Sequence, residues 1–442
     1  MTNRITVIGA SLGGLVAAAE LNQRGHSVTI VEKGNSVGGL YNKIKTPFGV
    51  QELGMHVLYV DDKQYKHLSD IFGPEVFNIM TGSETDIGAS ANFDTISFGS
   101  LYPNAMNHPK ADIIYSEVLE ASKSEVESAN AHEEALKRFG AVGEQEIVSP
   151  ILQKLWKKDP STLTPHALHC FYDLRRMVIC DKSQADILKD NPRLDETVAN
   201  PNQLHPKGEV FGGRMGLTFK TQYSDLADRV AAWASRVGVV IEFNQQVAVE
   251  DDCLSVGGVP VHESCDGCLI AVPMQGLANS IIDQTDQLEL SIYYVQLSEQ
   301  LKEQFPAYYI LCHDAQFKSS RVVNYDGYNR ENKEDRPSVI AVEAIHTIGN
   351  APREIEITQE INSLFPELEV QETFKLDQSV KVCSPTLNNN KLLSDLTSRI
   401  ESHFGSKPVY FTGMRTDTGI FFSHHTIGLA YESALECSKR LL

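Results

Sequence analysis

The chain contains 442 residues with a mass of 49.0 kDa, of which 42% are hydrophobic and 22% are charged. This composition is typical of a globular protein of two or three domains and excludes the disordered and fibrous classes. The 39 basic and 58 acidic residues give a net charge of −19, so we expect no nucleic-acid partner and no attraction to an anionic membrane. A small phosphorylated ligand remains compatible with this charge, because helix N-termini and backbone amides bind phosphate locally.

The first forty residues predict a strand, a glycine turn, a helix and a second strand. Residues 6–8 are apolar, residues 15–24 carry apolar side chains at helical spacing, and residues 27–31 form a second apolar run. Glu32 follows that run 23 residues after Gly9, where a carboxylate binds the ribose hydroxyls of an adenosine. The pattern predicts a dinucleotide-binding βαβ unit. Its turn supplies the predicted pyrophosphate-binding residues Gly9, Ser11, Gly13 and Gly14.

Ser11 stands where the middle glycine of the dinucleotide motif is usual, and this creates an alternative. Residues 9–13 also satisfy G-x-S-x-G, in which Ser11 would be the nucleophile of an α/β-hydrolase. That fold needs several strands and an oxyanion loop before the motif, whereas eight residues precede Gly9. The hydrolase interpretation also leaves Glu32 without a role, so the dinucleotide interpretation is favoured.

The segment that follows Glu32 distinguishes flavin from nicotinamide. The run from Val31 to Leu40 contains a Gly-Gly pair six residues after the acid and resembles the extended signature of a large FAD-dependent family. That family contains amine oxidases, protoporphyrinogen oxidase, phytoene desaturases and UDP-galactopyranose mutase. The resemblance implies that the cofactor is FAD and that the Gly-Gly pair lets the backbone approach it closely. The additional contact residues that it implies are Glu32, Lys33, Gly38, Gly39 and Leu40.

Three later segments resemble the same family. Residues 50–59 are similar to its second flavin-contacting segment, which implies that Gly54, Met55 and His56 lie beside the isoalloxazine, although His56 could equally be a satisfied core residue. Residues 239–247 resemble the strand whose backbone clamps adenine, which implies a contact from Val247. Residues 268–273 resemble the strand that leads out of the cofactor domain.

The middle of the chain is predicted to form the substrate side. Residues 110–138 and 144–156 have helical spacing, and Asp159-Pro160 marks a turn. Runs such as 291–297, 308–312 and 338–344 predict a sheet over the substrate pocket. Arg321 resembles in context an arginine of the mutase branch and is a candidate for facing an anionic substrate, with a solvated arginine at a sheet edge as the alternative.

The C-terminal segment resembles the strand and helix that seal the flavin site. Residues 408–413 predict a buried strand ending at Gly413, and a helix is predicted from residue 425 to residue 435. The resemblance implies that Thr426 and Ile427 lie at the flavin, where the helix dipole would stabilise an anionic reduced form. The candidates for a general base are His56, His424 and His425, because imidazole titrates near neutral pH. A helix cap beside a polar pocket is the alternative role of the two adjacent histidines.

The fold predicted from these observations is an α/β fold with a discontinuous Rossmann-type FAD-binding domain, a helical insertion and a β-sheet substrate domain. The FAD-binding domain comprises residues 1–80, 206–275 and 396–442. The helical substrate-side domain comprises residues 81–205, and the β-rich substrate domain comprises residues 276–395. The sequence does not fix the oligomeric state, and a homodimer is among the open assemblies.

Two classes of activity remain open. In the first, an FAD-dependent oxidoreductase oxidises an amine, a ring C–C or C–N bond, or a sugar derivative by hydride transfer to flavin N5. In the second, reduced FAD serves a non-redox sugar isomerase like UDP-galactopyranose mutase. The mutase pattern has an arginine where this chain has Met414, Arg415 matches only after a shift of one residue, and the tyrosine pair is missing. The redox class is therefore favoured, and a flavin-fold binding module without catalysis is a third alternative.

The cysteines and the apolar runs bear on location. Eight cysteines are dispersed along the chain, which favours reduced thiols and a cytoplasmic protein. Cys265 and Cys268 have the spacing of a redox or zinc pair, but no second pair lies near them, so we expect structural cysteines and no metal site. The stretch from Ile5 to Leu21 is interrupted by three glycines, unlike a signal peptide, and no other run approaches the ~20 apolar residues of a transmembrane segment.

Overall fold

The structure is a computed structural model that describes most of the chain. The described residues are 2–41, 43–80, 88–92, 95–121, 127–201, 214–220, 223, 225–250, 252–277, 284–298, 307–328 and 338–441. Most of a glycine-rich stretch at residues 208–216 lies outside them.

Strands occur throughout the chain and belong to five sheets. In chain order they are β1 Arg4–Ile8, β2 Ser27–Val31, β3 Ile44–Thr46, β4 Gly49–Gln51, β5 Leu58–Val60, β6 Phe77–Ile79, β7 Gly88–Asn92, β8 Thr95–Phe98, β9 Met215–Phe219, β10 Val240–Glu242, β11 Val247–Glu250, β12 Cys253–Val256, β13 Val259–Pro260, β14 Gly267–Ile270, β15 Gln287–Leu297, β16 Tyr309–Cys312, β17 Arg321–Asn324, β18 Val339–His346, β19 Val370–Lys375, β20 Val380–Cys383 and β21 Val409–Phe411.

Helices connect and cover these sheets. In chain order they are α1 Leu12–Gln23, α2 Asp62–Phe72, α3 Ala111–Ala121, α4 Ala131–Gly143, α5 Ser149–Trp156, α6 Lys182–Leu188, α7 Pro192–Asp195, α8 Leu226–Val237, α9 Val261–Ser264, α10 Tyr325–Tyr328, α11 Glu354–Leu364, α12 Leu387–Phe404 and α13 Ser423–Leu441. A π-helical turn over Glu144–Val148 joins α4 to α5. Within the described residues, no helix combines the length and the apolar character needed to cross a bilayer.

A parallel sheet in the order β10-β2-β1-β14-β21 forms the first layer. Its apolar strands are buried, as expected of a parallel sheet covered by helices. Residues 12–21 of α1 are buried throughout, because α1 lies against this sheet and is covered in turn by α13. The predicted Rossmann-type α/β fold is confirmed.

The second layer is a large mixed sheet in the order β19-β15-β18-β17-β16-β7-β8, with β20 also paired to β15. The long strands β15 and β18 are antiparallel, and β18 is buried along its whole length. The helices α3, α4 and α5 pack beside this sheet around the wholly buried Phe139 and Trp156. Helices and a sheet are therefore both present in the middle of the chain.

Three features differ from the sequence expectations. Residues 239–247 form two strands rather than one, because Asn244 has a positive φ of 56° and redirects the chain between β10 and β11. Strands β7 and β8 lie in the region predicted as helical, yet β7 pairs in parallel with β16 in the large sheet. Helix α12 crosses the predicted boundary at residue 395 and packs Leu393 and Ile400 against the strands of the parallel sheet.

All eight cysteines are free, and seven of them are buried, Cys253 being half-buried. Cys265 donates to the carbonyl oxygen of Val261, and Cys268 lies inside β14. Within the described residues, no cluster of three or more histidine, cysteine or acidic side chains could hold a metal ion. The cysteines therefore contribute packing in this fold.

Candidate functional site

A glycine turn brings the end of β1 against the start of α1. Gly9 has a φ of 100°, and a Cβ added there would lie 2.4 Å from Cγ1 of Val272. A Cβ on Gly14 would lie 2.1 Å from the carbonyl oxygen of Gly9. The turn can therefore form only where both residues lack a side chain, and it leaves the start of α1 open to an anionic group.

Ser11 is the N-cap of α1 rather than a nucleophile. Its hydroxyl donates to the carbonyl oxygen of Ala271 at 3.0 Å and accepts from the backbone N–H of Gly14 at 3.2 Å. A Ser side chain in this role stabilises the helix N-terminus. The hydrolase interpretation is wrong, because the hydroxyl is engaged with backbone groups and no histidine contacts it in the described part of the chain.

Glu32 is fixed at the carboxyl end of β2. Its Oε2 accepts from the backbone N–H of Ala10 at 2.8 Å, and its Oε1 accepts from that of Gly34 at 2.7 Å. The backbone N–H of Glu32 donates to the carbonyl oxygen of Glu242 in the adjacent β10. A carboxylate can accept further hydrogen bonds beyond these two, so Glu32 is oriented and still able to bind hydroxyl donors.

A crevice of about 470 Å³ opens at the carboxyl ends of β1, β2 and β14. Ligands bind at this edge of open parallel sheets, where the strand order reverses around β1. The crevice is lined by Glu32, Lys33 and Val247, three of the residues expected to contact the cofactor, together with Ile8, Gly9, Val31, Gln245, Gln246, Val272, Pro273, Gly276, Leu277, Gln287 and Lys381.

The C-terminal segment closes against the same turn. A Cβ on Gly413 would lie 1.9 Å from the carbonyl oxygen of Val272, so the chain after β21 passes in direct contact with the loop after β14. A Cβ on Gly13 would lie 3.1 Å from the carbonyl oxygen of Thr426, and Ile427 is wholly buried. The first turn of α13 therefore packs on the first turn of α1, which brings these predicted residues together with the glycine turn.

The glycine pair and the second glycine segment form neighbouring loops. The backbone N–H of Gly38 donates to the carbonyl oxygen of Ala10, Gly39 has a φ of 55°, and Leu40 is nearly half exposed. Gly54 has a φ of 81° and leaves room for the carboxylate of Glu343, which accepts from the backbone N–H of Met55 at 2.9 Å.

His56 is buried beside Tyr41, with 4.4 Å between the ring centroids. Its Nε2 is buried and has no hydrogen-bond partner among the described residues. Burial lowers the pKa of His56 to about 4. His56 therefore stays neutral near pH 7, and it is absent from the lining of the substrate-side cavity described next.

A second cavity, which we call the substrate-side cavity, has a volume of about 310 Å³. It lies between β5, the loop after Leu168, strands β16 and β17, and the start of α13. Its lining consists of Met55, Val57, Tyr59, Leu101, Tyr102, His169, Phe171, Asp173, Arg175, Arg176, Tyr309, Leu311, Arg321, Phe422, His424 and His425. The predicted residues Met55, Arg321, His424 and His425 meet here.

Arg321 is held in an ion pair rather than solvated. Its Nη2 and Nε donate to one carboxylate oxygen of Glu343 at 2.6 and 3.0 Å, and both side chains are more than 90% buried. Its guanidinium also lies 4.9 Å from the ring centroid of Phe171. The positive charge of Arg321 is therefore compensated inside the protein, and the expectation of a solvated arginine at a sheet edge is wrong.

Two histidines of the substrate-side cavity, His169 and His425, are held in the neutral form. Burial, followed by the positive charges of Arg175 and Arg214, lowers the pKa of His425 to about 4. Burial, followed by the charge of Arg175, lowers the pKa of His169 to about 4. The ring of His425 lies 4.4 Å from that of His424, and its Nδ1 is buried without a hydrogen-bond partner within the described ranges.

Sequence reasoning missed the loop that carries His169, Asp173, Arg175 and Arg176. Phe171 within this loop has a φ of 69°, a strained conformation for a bulky residue that is found mainly where a site requires it. The available signal was the charged run at residues 173–176 between two apolar stretches. The pairing of this loop with the cavity is a long-range contact, which local patterns do not show.

Arg415 does not replace the missing mutase arginine. Its Nη2 donates to a carboxylate oxygen of Asp417 at 2.5 Å, and Asp417 is wholly buried. Its Nη1 donates to the hydroxyl of Thr397. The guanidinium is therefore used within the loop after β21, and Arg415 is not among the residues that line either cavity.

The fold and the glycine turn agree with comparisons to known proteins. A family model described as an NAD(P)-binding Rossmann-like domain matches residues 7–73. A segment of 59 residues is 42% identical to the 4,4'-diapophytoene desaturase (4,4'-diaponeurosporene-forming) of Staphylococcus aureus, and it covers 13% of this chain and 12% of that protein.

Solved structures match over nearly the whole chain. The crystal structure of reduced UDP-galactopyranose mutase has a TM-score of 0.63 at 13% identity, covering 98% of this chain and 95% of that one. Cyclohexylamine oxidase from Brevibacterium oxydans has a TM-score of 0.55 at 12% identity and full coverage of both chains. The chain shares its overall fold with these two proteins. Putrescine oxidase bound to putrescine is also similar, with a TM-score of 0.55 at 13% identity and 99% coverage of both chains.

Proposed function

We propose that the protein is an FAD-dependent oxidoreductase that oxidises a small organic substrate, such as an amine, a ring C–C or C–N bond, or a sugar derivative. The observation that carries this proposal is the carboxylate of Glu32, held by the amides of Ala10 and Gly34 at the rim of the crevice. In a bound dinucleotide the adenosine ribose would meet Glu32, and the pyrophosphate would meet the start of α1.

The residues of the crevice fit this cofactor. Added Cβ atoms on Gly9, Gly14 and Gly413 would collide with neighbouring atoms, so the backbone here is shaped for close approach. When bound, FAD supplies the hydride acceptor at N5. The residues proposed to hold it are Gly9, Ser11, Gly13, Gly14, Glu32, Lys33, Gly38, Gly39, Leu40, Gly54, Met55, His56, Val247, Gly413, Thr426 and Ile427.

His425 is the residue that we assign to proton transfer. Removing a hydride from carbon beside an amine or a hydroxyl also releases a proton, and a neutral imidazole can accept it. Nδ1 of His425 has no partner in the described residues. The lowered pKa of about 4 keeps the ring neutral and able to accept a proton, but it makes His425 a weaker base than the near-neutral imidazole that the sequence predicted. The first turn of α13 places this ring in the substrate-side cavity, next to His424.

The cofactor assignment is tested by the variant Glu32→Gln. The purified wild-type protein should show the visible absorption of oxidised flavin or acquire it on addition of FAD. Loss of one charge-assisted acceptor for the ribose should weaken FAD binding about tenfold or more. The matched control is Glu401→Gln, on the exposed surface of α12, which should bind FAD like the wild type. A colourless wild-type protein that refuses FAD contradicts the assignment.

The reaction class is tested without oxygen. Candidate amines, alcohols and sugar derivatives are added to the oxidised, FAD-loaded protein, and bleaching of the flavin absorbance identifies an oxidised substrate. Failure to bleach with every substrate, combined with conversion of a nucleotide sugar into an isomer by dithionite-reduced protein, would replace oxidation by mutase-like isomerisation. The engagement of Arg415 with Asp417 supports the oxidoreductase.

A further inference from the structure

The charges that line the substrate-side cavity do not cancel. Arg321 is neutralised by Glu343, as described above. Arg175 donates from Nε and Nη2 to the two carboxylate oxygens of Asp173, at 2.8 and 2.9 Å, and is neutralised by that fork-shaped pair. Arg176 forms no ion pair with a carboxylate within the described part of the chain, although its charge also acts on Asp173. The arginines and carboxylates described at the cavity, with Glu343 included, therefore leave one net positive charge inside a protein whose net charge is −19.

Arg176 is anchored by neutral groups. Its Nε donates to the backbone carbonyl oxygen of Asp195 at 2.9 Å, while the carboxylate of Asp195 is paired with Lys189. Tyr102, which also lines the cavity, hydrogen-bonds to Arg176. Burial raises the pKa of Tyr102 above its usual range, so the phenol keeps its proton. A guanidinium fixed in this way by uncharged partners is arranged to meet an anion.

The other cationic and ionisable groups add to this field. Arg175 and Arg214 both act on His425 strongly enough to lower its pKa, and Arg175 does the same to His169. The imidazoles of His169 and His425 remain neutral and do not change the charge of the cavity. A substrate ammonium would therefore enter a cavity that already contains an excess positive charge, whereas an anion would be attracted to it.

The remaining walls are apolar and aromatic. Arg321 already stacks on Phe171, which uses that ring face for a cation of the protein itself. Tyr59, Tyr309 and Phe422 supply further ring surface, and Met55, Val57, Leu101 and Leu311 supply aliphatic surface. A volume of about 310 Å³ accommodates one substituted ring.

We propose that the substrate is an anion with an aromatic or apolar body, and that Arg176 and Tyr102 bind its carboxylate or phosphate group. That this anion is oxidised rests on the proposed function, whereas its binding in the cavity does not. A carboxylate and a phosphate each present two oxygen atoms that a guanidinium binds with two parallel hydrogen bonds. The test below distinguishes which of the two anions the site prefers.

The proposal is tested with three probes that share one ring: benzoate, phenyl phosphate and benzylamine. Their dissociation constants are measured by calorimetry on the FAD-loaded protein, and the FAD content of every sample is recorded from its absorbance. Benzoate or phenyl phosphate should bind at least tenfold more tightly than benzylamine, and the tighter of the two identifies the anionic group. Equal or tighter binding of benzylamine, or no binding of any probe, would overturn the proposal.

Variants locate the anion. Arg176→Gln should weaken binding of the better anion at least tenfold, Arg176→Lys should weaken it less, and Tyr102→Phe should weaken it severalfold without removing any charge. The control is Arg399→Gln, whose partly exposed side chain pairs with Asp252 outside the cavity. Unchanged anion binding in folded Arg176→Gln overturns the proposal. If Arg176→Gln does not fold, unchanged anion binding in Tyr102→Phe overturns it instead.

The two proposals fail in different ways. A protein that binds benzoate or phenyl phosphate but takes up no FAD would refute the cofactor and leave the anion site standing. A protein that binds FAD but binds benzylamine in preference to both anions would refute the anion site and leave the cofactor standing.

Discussion

Single residues determine how tightly the turn between β1 and α1 can close at the proposed nucleotide site, and Gly14 shows this most directly. A Cβ added to Gly14 would lie only 2.1 Å from the carbonyl oxygen of Gly9, so the turn has no room for a side chain there. Gly14→Ala should therefore force the turn apart, lower the free energy of unfolding by about 1–3 kcal/mol and weaken FAD binding more than tenfold. Denaturant titration and FAD titration measure the two effects.

The matched control is Gly428→Ala, also in a helix, where the new Cβ would meet only Nε2 of Gln64 at 3.8 Å. This variant should be as stable as the wild type or more stable by up to about 1 kcal/mol, because Ala favours helix over Gly. Equal tolerance of alanine at both positions would contradict the assigned role of Gly14.

The buried pair of Arg321 and Glu343 predicts strong coupling. Arg321→Met leaves the carboxylate of Glu343 buried with its charge unpaired, which should cost about 3–5 kcal/mol of unfolding free energy. Removing both charges in Arg321→Met with Glu343→Gln should cost less than the first substitution alone. A double-mutant cycle by denaturant unfolding measures this, and additive losses would show that the two side chains do not stabilise each other.

At the scale of elements, the end of β16 is held by buried polar groups from the helical layer. Lys154 of α5 donates to the carbonyl oxygen of Cys312, and the hydroxyl of Tyr172 lies 2.9 Å from the same oxygen. His313 follows directly, wholly buried, and neither ring nitrogen has a partner among the residues described. Burial lowers the pKa of His313 to about 3.

This arrangement predicts a loss of stability in acid. Because the folded-state pKa is below the unfolded value of about 6.5, the unfolded chain binds a proton that the folded chain refuses. The contribution of His313 is complete above pH 6.5 and is lost as the pH falls from 6.5 towards 3, by up to about 1.4 kcal/mol per pH unit. His313→Leu should reduce the slope of unfolding free energy against pH in this window, whereas His403→Leu, at an exposed position, should not.

From residue patterns alone, elements whose partners are adjacent in sequence could be predicted, and those with distant partners could not. The approach of Thr426 to the glycine turn was implied by the family resemblance instead. The opening unit was predicted from its own residues, because Gly9, the apolar helix and Glu32 fall within one βαβ unit. Strands β10 and β11 were merged, since the positive φ of Asn244 leaves no mark in an apolar run. The loop around Arg176 was missed, because its role depends on strands that lie more than a hundred residues later.

At the scale of the whole molecule, the parallel sheet is assembled from distant parts of the chain, and its first and last segments meet. The Nδ2 of Asn3 donates to the carbonyl oxygen of Leu441 at 3.3 Å. A circular permutant that joins these ends with a short Gly-Ser linker should fold if new termini are placed in the exposed turn at Gly257 and Gly258.

The permutant should retain FAD binding and a melting temperature close to that of the parent chain. A second permutant opened between Gly13 and Gly14 should lose FAD binding, because it cuts the first turn of α1. Visible absorbance measures FAD binding of the two permutants, and circular dichroism measures their folding and melting temperature. Loss of the fold in the first permutant would show that the continuity of β12 and β13 is needed for assembly.

The free cysteines have a consequence for how long such a protein could work. Where molecular oxygen accepts electrons from a reduced flavin, hydrogen peroxide accumulates beside the polypeptide, and peroxide attacks exposed thiolates. Seven of the eight sulfur atoms are shielded from solvent, and burial raises the pKa of thiols such as Cys170, Cys268 and Cys437, so each stays protonated and slow to react. A chain built in this way would be expected to tolerate its own oxidising by-product over many turnovers.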